Sequence, residues 1–315
     1  MEKKFSRIFG SFIAISLSLS IPVFATTADS AQNINTEKKQ FVHQLATQQK
    51  FNEKKLTALL NSLHRDPVVI ARITKPYEKK PWTFYQGYFV TPRRISLGVE
   101  YMQKHHRELV EMQKRYGIPP SMITAIIGIE TEYGNILGKF HVLNTLYTLG
   151  FYYPPRAPFF RKELGEYLIL AHKNHLPPKQ MMGSYAGAFG IPQFMPSSYR
   201  HYAVSAHQKN TVNLYQHDDA IASVANYFHK MGWQANQPVA KLLSWKYAAH
   251  PSSTKRLMLP TAQGKEYWAT YPNFKVIMRY NTNTVYAMAV YQLSQAIEKK
   301  FNQTASRSAT QARRA

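Results

Sequence analysis

Apolar residues recur at helical spacing over most of this chain. Between residues 41 and 63 they stand three or four positions apart, which is typical of the buried face of amphipathic helices. Similar spacing and helix start and stop residues predict the remaining helices. The pattern therefore predicts a mainly α protein, with further helices over 95–116, 121–133, 160–174, 195–203, 218–231 and 284–301.

Four stretches depart from this pattern. Residues 66–95 contain four prolines among aromatic side chains, which predicts an extended, aromatic-rich connection. Residues 233–280 mix proline, glycine and aromatic residues, and we expect a few short strands there. Residues 26–40 are polar and aperiodic, so we interpret them as a linker, and the Ser/Thr/Ala/Arg-rich tail 303–315 is predicted to be disordered.

Residues 1–25 have the pattern of a cleaved export signal. A basic start precedes an apolar stretch over 8–21, a break at Pro22 and cleavage after Ala25. An uncleaved anchor is the alternative, but four serines and the proline suit a spanning helix poorly. Because the chain has no cysteine, we expect no disulfide and no lipidated cysteine. We therefore expect a periplasmic protein without a stable membrane anchor.

The charge is strongly positive. Forty Lys and Arg residues face 17 Asp and Glu residues, a formal net charge of +23. Such a field attracts polyanions. In the cytoplasm this would indicate nucleic acid, whereas outside the inner membrane the polyanions are the cell wall, anionic lipids and surface polysaccharides. The export signal favours the second group, so we expect no nucleic-acid partner.

Residues 122–130 contain the first candidate for chemistry, Glu130. The segment is apolar all round, as in a core helix, and a carboxyl near its end is costly unless it is paired or used. Desolvation is expected to raise its pKa, as a general acid requires. Glu132 lies about 200° further round the helix and cannot share that site. An ion pair between Glu130 and Lys or Arg is the alternative, and position alone does not decide.

Residues 183–198 form a second unusual segment. Its three glycines suit tight turns, and Ser184 and Gln193 offer polar groups to a cleft. A surface loop is the alternative, but the many apolar residues argue against it. Metal sites are poorly supported, since His172 and His175 lack a third ligand nearby and no H-E-x-x-H motif is present.

Together these segments make residues 41–300 similar to the lytic murein transglycosylase B family (glycoside hydrolase family 103). The resemblance implies a lysozyme-like helical catalytic core over 117–232, a helical N-terminal subdomain over 41–116, a small, reduced β insertion over 233–280 and a returning core helix over 281–302. The matching strings lie at 128–134, 138–139, 183–199, 219–228, 280–281 and 286–293, with the aromatic segment 80–92.

The resemblance also implies the site. Glu130 falls on the family's single catalytic glutamate, and Arg156 is expected to meet the acidic stem peptide. Tyrosines offer flat faces for pyranose rings and hydroxyls for their edges. No cofactor is expected, and no calcium, since the interval 205–213 lacks acidic ligands. The sugar-cleft positions of the family fall on Tyr85, Ser184, Gln193, Tyr227, Tyr280, Asn281 and Tyr286.

The implied reaction is cleavage of the β-1,4 bond between N-acetylmuramic acid and N-acetylglucosamine, giving 1,6-anhydromuropeptides with one glutamate as acid and then base. We see no strong second carboxylate, because Asp218 and Asp219 begin a helix and suit its N-terminal charge. We expect a monomer that binds the glycan strands and stem peptides of peptidoglycan. A hydrolytic muramidase of the same fold, a non-catalytic wall-binding protein and a basic nucleic-acid binder remain alternatives.

Overall fold

The computed structural model describes residues 27–75, 80–174, 176–207, 211–244 and 255–312, without the side chains of 27–31 and 307–312. The predicted export signal therefore lies outside the described residues. The described elements, in chain order, are α1 (Thr27–Gln49), α2 (Glu53–Asn61), α3 (Pro67–Ile73), α4 (Trp82–Phe89), α5 (Pro92–Lys104), α6 (His106–Tyr116), α7 (Pro120–Thr131), β1 (Phe140–His141), α8 (Val142–Tyr152), a 3-10 helix (Pro154–Arg156), α9 (Ala157–Lys173), β2 (Met182–Gly183), α10 (Pro196–Tyr202), α11 (His217–Lys230), β3 (Ala240–Leu242), β4 (Lys255–Thr261), β5 (Gly264–Thr270), α12 (Pro272–Tyr280) and α13 (Thr284–Ala312).

These elements form two compact units. The first contains the described parts of 27–75 and 137–201, and the second those of 80–136 and 202–312. This division differs from the predicted one between 116 and 117, because α5 and α6 pack on α7. The predicted mainly α fold with small sheets is confirmed. None of the helices in the described part of the chain is both long and apolar enough to cross a bilayer.

In the first unit, α8 packs along α9, with α1 against both and α3 against α8. The predicted linker 26–40 is wrong from residue 27 on, because α1 begins there. Its polar residues make tertiary contacts: Glu37 Oε2 lies 2.9 Å from Arg161 Nη1, and Lys38 Nζ lies 4.9 Å from the centre of the Tyr147 ring. Tertiary packing therefore extends a helix that the apolar pattern alone places only from Phe41 on.

The predicted extended connection over 66–95 is also wrong, because α3 and α4 and the start of α5 lie within it and two of its prolines start helices. Pro67 and Pro92 each occupy the first turn, where the missing N–H costs nothing. The Asp66 carboxylate accepts hydrogen bonds from the N–H groups of Val68 and Val69, and Thr91 caps α5 in the same way. Prolines at helix starts therefore resemble loop prolines in sequence.

In the second unit, α13 packs against α4, α5, α7 and α12, while α11 packs against α6 and α7. The expected strands within 233–280 are present as the antiparallel sheet β3-β5-β4, with Leu242 and Leu257 both opposite Trp268. The last nine residues of that stretch, Pro272–Tyr280, form α12. The disordered tail predicted from residue 303 is wrong as far as Ala312, because α13 continues to that residue and elongation of a packed helix is inexpensive.

Two histidines of the second unit are stacked in a partly buried cluster. The rings of His105 and His217 lie 4.7 Å apart, and the Tyr101 hydroxyl is 3.1 Å from Nδ1 of His217. Burial, assisted by His105 and Lys104, lowers the pKa of His217 to about 4. The cluster therefore favours the uncharged imidazole.

Acid should destabilise the protein through His217. Its folded pKa lies below the ordinary value of 6.5, so the unfolded state binds this proton first as the pH falls from 6.5 to about 4. We expect the free energy of unfolding to fall across that window by about 2 kcal/mol more in the wild type than in His217→Gln. Urea unfolding of both proteins at neutral and acidic pH measures the difference, and equal losses would contradict the assignment.

Candidate active site

Helix α7 carries Glu130 into the core of the second unit. Every residue from Ser121 to Thr131 is buried, because α5, α6, α11 and α13 pack around this helix. The helix stops at Glu132, which adopts the left-handed conformation with φ 49°. Glu130 therefore lies in the last turn, and it is 6% exposed.

The Glu130 carboxyl is hydrogen-bonded to a tyrosine of another helix. The Tyr286 hydroxyl, on α13, donates to Glu130 Oε1 at 2.6 Å. Tyr286 is fully buried. The two residues stand 156 positions apart, so only the packing of α7 on α13 brings them together.

Further tyrosines surround this pair. The rings of Tyr227 and Tyr280 lie 5.0 Å apart, and the Tyr227 hydroxyl donates to the Arg279 carbonyl oxygen at 2.6 Å. Burial first, and the nearby Glu130 charge second, hold the pKa values of Tyr280 and Tyr286 well above the ordinary value of 10.0. These phenols therefore stay protonated, and the Tyr286 hydroxyl is the one that donates to Glu130.

Tyr85 and Asn281 join the same region through Asn283. Asn283 Nδ2 donates to the Tyr85 hydroxyl at 3.2 Å, and the Asn283 N–H donates to Asn281 Oδ1 at 3.0 Å. Asn281 Nδ2 is buried and has no hydrogen-bond partner among the residues that the structure describes. Buried donors without partners are costly, so this amide is a candidate contact for a bound ligand.

Burial limits the contacts that Tyr85 and Tyr286 can make with a sugar. Neither side chain is exposed to solvent, so the sugar stacking expected from sequence does not fit their ring faces. Only their hydroxyls remain as polar contacts. Tyr227 is also buried, at 7% exposure, whereas Tyr280 is partly exposed.

Ser184 and Gln193 belong to the first unit, where both side chains brace the glycine-rich segment. Ser184 Oγ accepts hydrogen bonds from the N–H groups of Ala186 and Ala188, at 3.3 and 3.1 Å. Gln193 Nε2 donates to the carbonyl oxygens of Leu137 and Gly190, at 3.2 and 2.8 Å. These bonds give both residues a structural role, and contact with substrate stays a prediction.

Arg156 lies in the 3-10 helix of the first unit, at the start of α9. Its Cζ lies 4.2 Å from the centre of the Phe159 ring and 5.4 Å from that of Phe160. The aromatic rings therefore hold the guanidinium by cation–π contact. Contact between Arg156 and stem peptides stays a prediction.

Asp218 and Asp219 do more than charge the start of α11. Both oxygens of Asp219 accept backbone N–H bonds at 2.8 Å, from Ala206 and from Asn213. Asp218 Oδ2 lies 2.7 Å from His207 Nε2. The aspartates therefore bind the described residues on both flanks of the α10–α11 connection, Ala206 and His207 on one side and Asn213 on the other.

No arrangement of three His, Asp or Glu side chains suited to a metal ion occurs in the described ranges. His175, one of the two histidines considered from sequence, lies outside them, and so does the middle of the interval considered for calcium. The expectation that the protein binds no calcium and no cofactor stays a prediction.

Sequence reasoning missed two residues that support this site, Asn283 and Arg94. Arg94 is 5% exposed, and its guanidinium donates to the Gly128 carbonyl oxygen near the end of α7. The Tyr133 hydroxyl donates to the Arg94 carbonyl oxygen at 2.7 Å. A basic residue on the buried side of α5 was the available indication for Arg94. For Asn283 the indication was its position before α13, where its Oδ1 accepts from the N–H groups of Val285 and Tyr286; its bond to Tyr85 joins residues 198 positions apart.

Comparison with known proteins identifies clear relatives. Residues 33–295 match the family model described as Transglycosylase SLT domain. The chain is 34% identical, over 305 residues, to the membrane-bound lytic murein transglycosylase B of Escherichia coli (strain K12), covering 85% of this chain and 84% of that protein.

Two solved structures from Pseudomonas aeruginosa are similar throughout the matched part. The soluble lytic transglycosylase SltB1 is 38% identical, with a TM-score of 0.78 over 84% of this chain and 99% of that one. SltB3, solved in complex with NAG-NAM-pentapeptide, is 25% identical, with a TM-score of 0.72 over 84% of this chain and 79% of that one. These similarities confirm the predicted lysozyme-like helical fold with a small β insertion.

Proposed function

Because this chain belongs to the family of transglycosylase SLT domains, we propose that Glu130 is the catalytic acid and base with which it cleaves peptidoglycan. The activity itself is that of a lytic transglycosylase acting on peptidoglycan. The observation that carries the residue assignment is the buried Glu130 carboxyl with the Tyr286 hydroxyl 2.6 Å from Oε1.

The setting of Glu130 suits a proton donor. Burial disfavours the charged carboxylate, whereas the hydrogen bond donated by Tyr286 stabilises it. In the neutral acid, Oε1 accepts from Tyr286 as the carbonyl oxygen, so the proton resides on Oε2. The tyrosine thus fixes which oxygen carries the proton and orients it for transfer to the glycosidic oxygen.

One carboxyl suffices when the nucleophile belongs to the substrate. Glu130 protonates the oxygen between N-acetylmuramic acid and N-acetylglucosamine, and the C1–O bond breaks with help from the muramoyl N-acetyl oxygen. The Glu130 carboxylate then takes the proton of the muramoyl C6 hydroxyl, whose oxygen bonds to C1. The proton count balances, no water is consumed, and the product carries a 1,6-anhydro ring.

The neighbouring carboxylate does not serve as a second acid or base. The Glu132 carboxylate is bound by the Arg93 guanidinium, and its backbone turns away from the helix at φ 49°. Two-carboxylate glycosidases place both groups on either side of the bond to be broken. The pairing of Glu132 with Arg93 therefore supports the single-glutamate mechanism.

Removing the Tyr286 hydroxyl should slow catalysis. In Tyr286→Phe the carboxyl loses its orienting donor. Hydrogen bonds to a charged group, such as the carboxylate that forms as Glu130 gives up its proton, contribute about 1.5–3 kcal/mol, so kcat should fall about 10- to 100-fold. Tyr291→Phe removes a hydroxyl from the same helix, one that donates to Ala240 O at 2.8 Å, and should retain its kcat. Initial rates of muropeptide release measure both, and equal rates for the two variants would refute the orienting role.

We place the enzyme in the periplasm. The pattern of residues 1–25 and the net charge of +23 support this location, since the wall is an anionic polymer outside the inner membrane. Its partners there are glycan strands and stem peptides, and we expect it to act as a monomer. Mass spectrometry of the protein from periplasmic extracts tests the location, and a mature chain that begins before Thr26 would contradict the cleavage site.

Product analysis tests the reaction. Purified cell walls digested with the protein should release 1,6-anhydromuropeptides, which chromatography with mass detection separates from hydrolysis products that are one water heavier. Reducing muropeptides would instead identify a hydrolytic muramidase. Binding to the wall without release of soluble fragments would identify a wall-binding protein.

A further inference from the structure

The first unit has a polar groove between α1 and α9 that the proposed reaction does not use. The groove has a volume of about 580 Å³. Its floor is apolar and its two walls are polar. The floor is formed by Phe41, Leu45, Gly165 and Ile169, the α1 wall by Gln40, Gln44, Gln48 and Gln49, and the opposite wall by Arg161, Lys162, Glu166 and Arg200; we call it the α1–α9 groove.

Close packing of the two helices closes the floor. A Cβ atom placed on Gly165 would lie 3.3 Å from Leu45 Cδ1, so glycine allows α1 to approach α9 closely. Leu45 and Phe41 are both buried, while Gln44 and Gln48 on the same helix are exposed. The helices therefore leave a shallow apolar base between two exposed polar rows.

The groove carries a surplus of positive charge. Its two acids are each bound to an arginine: Glu37 to Arg161, whose Nη1 also donates to Gly150 O at 2.9 Å, and Glu166 to Arg200. Lys162 is exposed and makes no ion pair within the described part of the chain. Lys162 is therefore available to pair with an anionic ligand, while Arg161 and Arg200 are held in place by their ion pairs.

The glutamines are spaced for an extended peptide. Gln40, Gln44 and Gln48 repeat every four residues, which is about 6 Å along a helix. An extended chain presents its backbone amide groups on one edge every two residues, at about 6.6–6.8 Å. Each glutamine side chain can both donate to and accept from such an amide. The row therefore spans about 12 Å, which corresponds to about four residues of extended peptide.

We propose that the α1–α9 groove binds the acidic stem peptide of peptidoglycan in an extended conformation, with backbone amides on the glutamine row and carboxylates at Lys162. The identity of this peptide rests on the proposed function, because peptidoglycan is the source of such peptides at the enzyme. The groove would hold a peptide while leaving the glycosidic bond to Glu130, and it would favour wall that carries peptides over bare glycan.

Titration of the full-length protein with isolated wall pentapeptide, which has no glycosidic bond, tests this site. Side-chain amide resonances of Gln40, Gln44 and Gln48 should shift and saturate. The double variant Gln44→Ala/Lys162→Glu should weaken this binding about tenfold or more, equivalent to about 1.4 kcal/mol. The matched control Gln32→Ala/Lys54→Glu makes the same changes at exposed positions outside the groove and should bind like the wild type.

Failure of the groove proposal can be distinguished from failure of the proposed reaction. Glu130→Gln should bind the pentapeptide as the wild type does, because the groove does not involve that residue. Absence of saturable shifts at the three glutamines would overturn the groove proposal while leaving the reaction intact. The groove proposal would also be overturned if oligomers of N-acetylglucosamine, and not the pentapeptide, shifted these side-chain amide resonances. The groove would then bind glycan.

Discussion

Glu130→Gln should lose at least about 10³-fold of the rate of muropeptide release, because one residue supplies both the acid and the base step and each contributes about 10²- to 10⁴-fold. Glutamine keeps the size of the side chain, and its carbonyl oxygen can still accept from Tyr286. It has no acidic proton to transfer. The fold should be retained, since a neutral amide is less costly to bury than a charged carboxylate.

Glu132→Gln is the matched control for this experiment. It makes the same chemical change two positions further on, at a carboxylate bound to Arg93. The rate should stay within about tenfold, since the Arg93 side chain is exposed and an ion pair with an exposed partner contributes little. Initial rates on purified cell walls, with thermal unfolding of each variant, give the comparison. A Glu130→Gln enzyme with a tenth of wild-type activity, or an equal loss in the control, would remove Glu130 from its proposed role.

Gly138→Ala should be among the most destabilising single substitutions in the first unit. Gly138 has φ 95°, and an added Cβ would overlap the carbonyl group of Gly183. Gly183 cannot retreat, because it pairs with Phe140 in the β1–β2 ladder and its own Cβ position is blocked by the Ala188 carbonyl. We expect a loss of about 3 kcal/mol or more, combining left-handed backbone strain with overpacking.

Gly232→Ala separates these two effects. Gly232 has a similar φ of 85°, but an added Cβ would meet no atom within 4 Å. It should therefore show only the backbone cost of about 1–2 kcal/mol. Denaturant unfolding of both variants gives the comparison, and equal losses would show that the overlap with Gly183 is relieved by a small backbone shift.

The sequence predicted the part of the site that a single helix determines. An apolar run that ends in a carboxyl can be read from the local pattern, and α7 with Glu130 is buried as expected. The starts of α10 and α11 also lie within two residues of their predicted positions. These features depend on helix propensity and on the burial of one continuous segment. Both can be inferred from the residues of that segment alone.

The parts that depend on tertiary contact were not predictable in this way. The hydrogen bond from Tyr286 to Glu130 and that from Asn283 to Tyr85 join residues 156 and 198 positions apart. Resemblance to a family pointed to Tyr85 and Tyr286, but not to their burial. The helical state of 27–40 likewise depends on contacts with α8 and α9 that no local pattern encodes.

Digestion of purified cell walls in water enriched in oxygen-18 tests most directly whether one buried carboxyl and the substrate's own C6 hydroxyl suffice. The single-glutamate mechanism predicts muropeptide ends that carry no heavy oxygen and have the mass of the anhydro form. Heavy oxygen at C1 of the new muramoyl ends would show that water is the nucleophile, which is how hydrolytic glycosidases complete the reaction, and would contradict the single-glutamate transglycosylase mechanism.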